Sequence, residues 1–166
     1  MELFEAILQR RTIKDFTTAP VPDDLLDRVL TAGLWAQNHH LTQPWRFIVL
    51  GPKTQQAWAE VFAAAQVQGL PPTADDATRA KVRAGAMQKM LTKPRIVVVS
   101  YCLNGDAFAR REDYAATCCA IQNIHLAAHA EGLGMQWGTS AATTLPQTYD
   151  LLGIDPAAEE IAGFLY

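Results

Sequence analysis

Apolar side chains recur along the chain with two periods, one typical of helices and one typical of strands. At the amino-terminal end Leu3, Ile7 and Leu8 lie at helical intervals, which predicts a short amphipathic helix over residues 2–10. Residues 95–101 contain the run Ile-Val-Val-Val, which predicts the clearest strand of the chain. The same criteria predict further strands over residues 45–50, 135–140 and 160–166.

The remaining helices are predicted from the same spacing and from their caps. One helix begins where Pro22 or Asp23 caps it and ends near Ala36. Its predicted buried face consists of Leu25, Leu26, Val29, Leu30 and Gly33. Further helices are predicted over residues 53–68, with Trp58, Val61 and Phe62 inward, over residues 75–91, as a surface helix or mobile excursion, and over residues 144–152.

The longest predicted helix covers residues 110–131 and is apolar around much of its circumference. A helix of that kind belongs in the centre of a structure or at a dimer interface. Gly132-Leu133-Gly134 ends it, and this Gly-x-Gly is not a dinucleotide-binding turn because it follows a helix and precedes a strand. The order of elements predicts an α+β domain in which helices cover a small mixed or antiparallel sheet.

Length, charge and cysteine content narrow the class of protein. The 166 residues suffice for one domain with a core, and a formal net charge of −3 argues against a nucleic-acid-binding surface. The first residues lack the apolar core of a signal peptide and no run reaches membrane-spanning length, so a cytoplasmic protein is expected. The three cysteines form no disulfide framework, and Cys118 and Cys119, on a helix that is predicted to be buried, are expected to be structural thiols.

Arg10, Arg11 and Thr12 form the first candidate site, directly after the first predicted helix. Two interpretations are open. Cations at a helix C-terminus interact favourably with the helix dipole. Two arginines beside a hydroxyl also supply the donors that bind a phosphate group. Neither composition nor spacing selects between these interpretations or indicates a flavin.

Two pairs of histidines raise the question of a metal site. His39 and His40 are adjacent in a polar loop, and adjacent side chains rarely point at one ion. His125 and His129 are separated by four residues on the longest helix, which is a better metal spacing, but they lack a Glu in the zincin arrangement and an obvious third ligand. We therefore expect His125 and His129 to be helix-surface residues or interior residues whose hydrogen bonds are satisfied.

Taken in chain order, several segments resemble the nitroreductase family, in particular its small single-domain members. The resemblance extends over nearly the whole chain, and no single motif decides it. It rests on residues 10–16, 21–22, Asn38-His39-His40, Gln43-Pro44-Trp45, 46–49, 122–128, 131–134, Trp137-Gly138-Thr139 and 161–166.

The resemblance implies a nitroreductase-like fold whose long central helix packs at the interface of a homodimer, with FMN sites shared between the subunits. It implies that FMN takes a hydride from NADH or NADPH and passes two electrons to a nitroaromatic, a quinone or a similar acceptor in a ping-pong cycle. The implied FMN contacts are Arg10, Arg11 and Thr12 at the phosphate and ribityl chain, Lys14 at the pyrimidine edge, His39 with Asn38 beside it from the other subunit, and Trp137, Gly138 and Thr139 along the flavin.

Three features depart from the family pattern. Ala36-Gln37-Asn38 replaces the usual Pro-containing loop, and Trp35 stands where small relatives often carry an Arg that contacts the flavin. The family continues beyond the segment that matches Tyr166, so we expect one nitroreductase-like domain over residues 1–166 with a carboxyl end that is short relative to the family. Two other functions stay open: a non-catalytic flavin-binding dimer with a weakened site, and a helical metal protein that uses its His pair.

Overall fold

Six α-helices and four strands make up the chain in a computed structural model that describes all 166 residues. The order confirms the α+β prediction, because two helices precede the first strand and at least one helix separates each strand from the next. In chain order the elements are α1 (Leu3–Gln9), α2 (Asp23–Leu34), β1 (Trp45–Val49), α3 (Pro52–Gln68), α4 (Asp76–Leu91), β2 (Val97–Cys102), α5 (Ala107–Ala130), β3 (Trp137–Gly138), α6 (Pro146–Leu152) and β4 (Glu159–Leu165).

The strands form one antiparallel sheet in the order β1-β2-β4-β3. At the centre, Val98 of β2 lies opposite Ile48 of β1 and Phe164 of β4. Every residue of β2 from Val97 to Tyr101 is buried, which is expected for a strand that is covered on both faces. The predicted small sheet is confirmed.

Helices pack on both faces of this sheet, and the alternation of side chains along β2 assigns each residue to one face. Val98 packs with α3 and α4, where the Trp58 ring stacks on Phe164 with centroids 4.2 Å apart. Val97 and Val99 pack on the opposite side with α2 and α5. That second layer also holds Leu26, Val29, Leu30, Ile121, Ile124 and Ala128.

Several predicted boundaries need correction. The long helix begins at Ala107 instead of residue 110, because the Asp106 carboxylate accepts hydrogen bonds from the N–H groups of Phe108 and Ala109. The strand predicted over residues 135–140 is confined to β3, since Ser140 caps a 3₁₀ turn over Ala141–Thr143. The helix predicted from residue 144 begins at Pro146.

The apolar side chains predicted for α1 are exposed in the isolated chain. Ala6 is its buried residue, whereas Leu3, Ile7 and Leu8 are 62%, 47% and 69% exposed. Helix α4 is a packed helix and not a mobile excursion, because its side chains Ala86 and Met90 are buried against α3. None of the helices combines the length and the apolar character that would let it cross a lipid bilayer.

Candidate functional site

Two candidate segments that are distant in sequence lie side by side. The N–H of Ile13 donates a hydrogen bond of 3.1 Å to the carbonyl oxygen of Met135, and Thr12 pairs with Met135 in a parallel bridge. Gly134 permits this approach, since a Cβ atom there would lie 3.0 Å from the Ile13 side chain. The fold therefore brings the Arg10–Lys14 segment to the start of the Trp137-Gly138-Thr139 segment.

A cavity of about 460 Å³ lies beside these two segments, and we call it the Arg10 cavity. Its charged and titratable lining side chains are Arg10, Arg11, His125 and His129. No Asp or Glu lines it. The fold thus assembles a basic cavity, in a protein of net negative charge, out of the first candidate site and the second His pair.

The two arginines of this cavity have different roles. The Arg11 guanidinium donates hydrogen bonds to the carbonyl oxygens of Leu8 at 2.7 Å and Arg10 at 2.9 Å, so it caps the C-terminal end of α1. The Arg10 side chain makes neither a hydrogen bond nor an ion pair within the chain. The sequence left open whether these arginines interact with the helix end or bind a phosphate. Arg11 interacts with the helix end, and Arg10 is available to an anion.

The second His pair does not match its prediction. His125 is 5% exposed, and the Nε2 atoms of both His125 and His129 are buried without a hydrogen-bond partner, so neither residue is a satisfied interior histidine. Burial, with a smaller contribution from the charge of Arg10, lowers the pKa of His125 to about 4. No group of three His, Cys, Asp or Glu side chains is arranged to hold a metal ion.

Lys14 is exposed, but its main-chain carbonyl oxygen accepts a hydrogen bond from Lys93, a buried lysine that the sequence analysis did not single out. Lys93 is 6% exposed, and its ammonium group lies 4.0 Å from the centroid of the Phe16 ring and 5.2 Å from that of Tyr166. Burial, together with the nearby Lys89, lowers the pKa of Lys93. In the sequence, Lys93 lies just after a predicted helix and directly before a proline, and the pattern of apolar residues did not indicate a buried cation there.

The Trp137-Gly138-Thr139 segment is held by the carboxyl-terminal strand. The Trp137 indole N–H donates a hydrogen bond of 3.2 Å to the carbonyl oxygen of Ala162, which fixes the ring against the core. A Cβ atom at Gly138 would lie 2.7 Å from the Tyr166 ring, so this glycine accommodates a tyrosine of the same chain. Thr139 is exposed.

His39 lies apart from the Arg10 cavity. Its Nδ1 atom is 2.8 Å from a carboxylate oxygen of Glu112, at a second cavity of about 430 Å³ whose lining also includes Asp113. The loop that carries His39 is strained, because His40, Leu41 and Gln43 adopt positive φ. Asn38 stabilises the loop by accepting a hydrogen bond from the Gln43 N–H. Within one chain, His39 and Arg10 therefore line different cavities.

The Nitroreductase family profile matches residues 7–166. The chain belongs to the nitroreductase family. YfhC of Bacillus subtilis strain 168, which carries a provisional name as an NAD(P)H nitroreductase, is 33% identical over 136 residues, or 81% of this chain and 68% of YfhC. YdjA of Escherichia coli K12, named in the same provisional way, is 29% identical over all of this chain and 87% of YdjA.

Solved nitroreductase-like structures share the fold. A nitroreductase-like family protein from Bacillus cereus superposes with a TM-score of 0.83 at 27% identity, over 100% of this chain and 84% of that chain. A nitroreductase-type protein from Desulfovibrio desulfuricans, crystallised in complex with FMN, superposes with a TM-score of 0.71 at 25% identity, over 98% of this chain and 83% of that chain. The family and fold implied by the sequence resemblance are confirmed.

One departure from the nitroreductase pattern is visible at the surface. Trp35, at the position where the sequence resemblance implies an Arg, is 83% exposed at the end of α2. Leu34 beside it is 49% exposed. This corner therefore presents two large apolar side chains to solvent in the isolated chain.

Proposed function

We propose that this chain is an FMN-dependent oxidoreductase that passes electrons from NADH or NADPH to nitroaromatics, quinones or similar small electron-poor acceptors. The observation that carries the proposal is the Arg10 cavity, a basic cavity next to the segment of the fold where the family resemblance places the flavin. Its placement within a nitroreductase fold distinguishes it from an arbitrary basic patch.

The residues of this site fit FMN. The free Arg10 guanidinium supplies fork-shaped donors for a phosphate, no carboxylate lines the cavity, and two buried imidazole nitrogens lack partners. The residues that would hold FMN are Arg10, Thr12, Lys14, Trp137, Gly138 and Thr139, with His39 contributed by a second subunit. Arg11, whose guanidinium caps α1, adds positive charge beside the phosphate.

FMN supplies the hydride-transfer chemistry when it is bound. The protein's own residues bind FMN, orient it and set the charge around its ring. Arg10 holds the phosphate, while the paired main chains of Ile13 and Met135 keep the two flanking segments in register. A cation at Lys14, beside the pyrimidine edge, stabilises negative charge there and so favours two-electron chemistry.

We also propose that the active protein is a homodimer. Leu3, Phe4 and Leu8 of α1 and Phe108 of α5 are between 62% and 77% exposed, which is unusual for a helix surface in water. We expect a twofold interface that covers them and buries more than about 2,000 Å², the range of obligate dimers. The family resemblance places His39 of one subunit at the flavin of the other. The single domain over residues 1–166 and the cytoplasmic location stay predictions.

The test is to titrate purified protein with FMN and then to follow NADH and NADPH oxidation with a nitroaromatic or a quinone. The proposal expects FMN binding and acceptor-dependent oxidation of at least one nicotinamide. FMN binding without turnover would favour the non-catalytic flavin-binding dimer, for which Trp35 in place of a basic residue is the supporting observation. Absence of FMN binding would contradict the proposal.

A further inference from the structure

The unexplained feature of the Arg10 cavity is its pair of imidazoles. His125 and His129 stand one turn apart on the same face of α5, and both line the cavity. A buried ring nitrogen without a partner costs free energy, because the hydrogen bond that it made to water in the unfolded chain is lost. Because both residues line the Arg10 cavity, a polar ligand bound there lies beside the two rings that lack partners.

The arginine side chains of the cavity favour an anion as that ligand, and they act against an opposing effect of the helix ends. α1 and α5 both end at the cavity, and each helix C-terminus carries a partial negative charge that disfavours an anion. Arg11 already offsets the end of α1 through its two carbonyl contacts. Arg10 is then the one arginine that is free to bind, and a phosphate has more acceptor sites than one guanidinium fills.

We propose that His125 and His129 are phosphate ligands of the FMN site, where each donates an imidazole N–H to the phosphate that Arg10 holds. This inference rests on the proposed function. It adds two residues that the family resemblance did not supply, so that Arg10, His125 and His129 together bind the phosphate.

Neutral imidazoles suit this position. A third cation beside Arg10 and Arg11 would repel them before the ligand arrives, whereas a neutral imidazole supplies a donor without that repulsion. The lowered pKa of His125 agrees, because it keeps the ring uncharged at neutral pH. The groups that face His125 are Arg10 from the α1 end and His129 from its own helix, and neither is acidic.

The test compares FMN with riboflavin, which has the same ring and lacks the phosphate. Dissociation constants of both are measured by quenching of flavin fluorescence in wild-type protein, His125→Leu, His125→Gln and His129→Leu. Leu and Gln are similar in size and both are uncharged, but only Gln retains N–H donors. A general packing defect in a variant lowers the affinity for both flavins, whereas loss of a phosphate contact lowers that for FMN alone.

We expect His125→Leu to weaken FMN binding about tenfold with riboflavin binding unchanged, and His125→Gln to restore most of the difference. His129→Leu should weaken FMN binding in the same direction. Equal losses for both flavins, or no loss for either, would overturn the inference and leave the proposed function intact. A wild-type protein that binds neither flavin would overturn the proposed function itself.

A phosphate monoester also occurs at the 2′ position of NADPH, so a further arm separates the two sources. FMN-loaded wild-type protein and His125→Leu are compared for the ratio of their NADPH and NADH Michaelis constants. The inference expects the same ratio in both proteins. A changed ratio with unchanged FMN affinity would assign the histidines to the nicotinamide cofactor and overturn the inference.

Discussion

The ammonium group of Lys93 donates a hydrogen bond of 3.2 Å to the main-chain carbonyl oxygen of Lys14. The two lysines are 79 positions apart, and one is buried while the other is exposed. The buried cation has no carboxylate partner, and it is held over the Phe16 and Tyr166 rings instead. Lys93 is therefore a fixed support for the segment that carries the proposed flavin-edge cation.

Lys93→Met should weaken the binding of FMN and riboflavin by the same factor, about 3- to 10-fold. The change keeps the aliphatic volume but removes the bond to Lys14, and this support acts at the ring end of the flavin and not at the phosphate. Fluorescence titration measures both affinities. Lys89→Met, at an exposed position on α4, is the matched control and should bind both flavins like wild type. Unchanged affinities in Lys93→Met would remove this role.

Arg10→Ala and Arg11→Ala should separate the two interpretations of the adjacent arginines. Arg10→Ala removes a charge-assisted phosphate contact and should weaken FMN binding by roughly 1.5–3 kcal/mol, about ten- to a hundred-fold. Arg11→Ala removes the cap of α1 and should cost under about 1 kcal/mol of unfolding free energy, with a smaller effect on FMN. Urea unfolding and FMN titration of both variants make the comparison. If Arg10→Ala keeps wild-type FMN affinity, the phosphate assignment is wrong.

Stability should fall in mild acid because of His125. Its pKa in the folded protein is about 4, below the ordinary value of 6.5, so the unfolded chain binds the proton more tightly. The stability present above pH 6.5 is lost as the pH falls to about 4, by an amount on the order of 3 kcal/mol from this residue. Urea unfolding at a series of pH values and one protein concentration measures the loss, and His125→Leu should flatten it. An equally steep fall in His125→Leu would show that other groups cause it.

Leu8→Glu should break the proposed homodimer. The side chain is 69% exposed on α1, so a carboxylate there is tolerated by the isolated chain but not by an apolar interface. Light scattering should report a dimer for wild type and a monomer for Leu8→Glu, with FMN binding lost along with the dimer. Leu91→Glu, at a 41% exposed position on α4, should stay dimeric. A monomeric wild-type protein at micromolar concentration would contradict both the dimer and the shared site.

The sequence predicted the sheet and its covering helices because their pattern is strong. The apolar run of β2 and the cap at Gly132 are local signals, and Gly132 does adopt positive φ, with the Leu133 N–H reaching back to the Ala128 carbonyl oxygen at 2.8 Å. Boundaries shifted where one polar side chain decides them, as Asp106 and Ser140 do. Such caps are single contacts and leave little trace in periodicity.

The candidate site was only partly predictable. Arg10 and Trp137 were singled out from their motifs, but a tertiary contact decides what each side chain does, as the bond from Trp137 to Ala162 illustrates. His125 was expected to be either a helix-surface residue or a satisfied interior one, and it is neither, because helical spacing does not show whether a buried side chain has a hydrogen-bond partner. Lys93 was not predicted to be part of the site, because lysine side chains usually lie in solvent and this one is buried.

The most direct test of the central claim is anaerobic addition of NADH or NADPH to the FMN-reconstituted protein, followed by its visible absorption. We expect the flavin band to bleach with at least one of the two nicotinamides and to return when a nitroaromatic or a quinone is added. A band that both nicotinamides leave unchanged would contradict the claim that this chain is an FMN-dependent oxidoreductase.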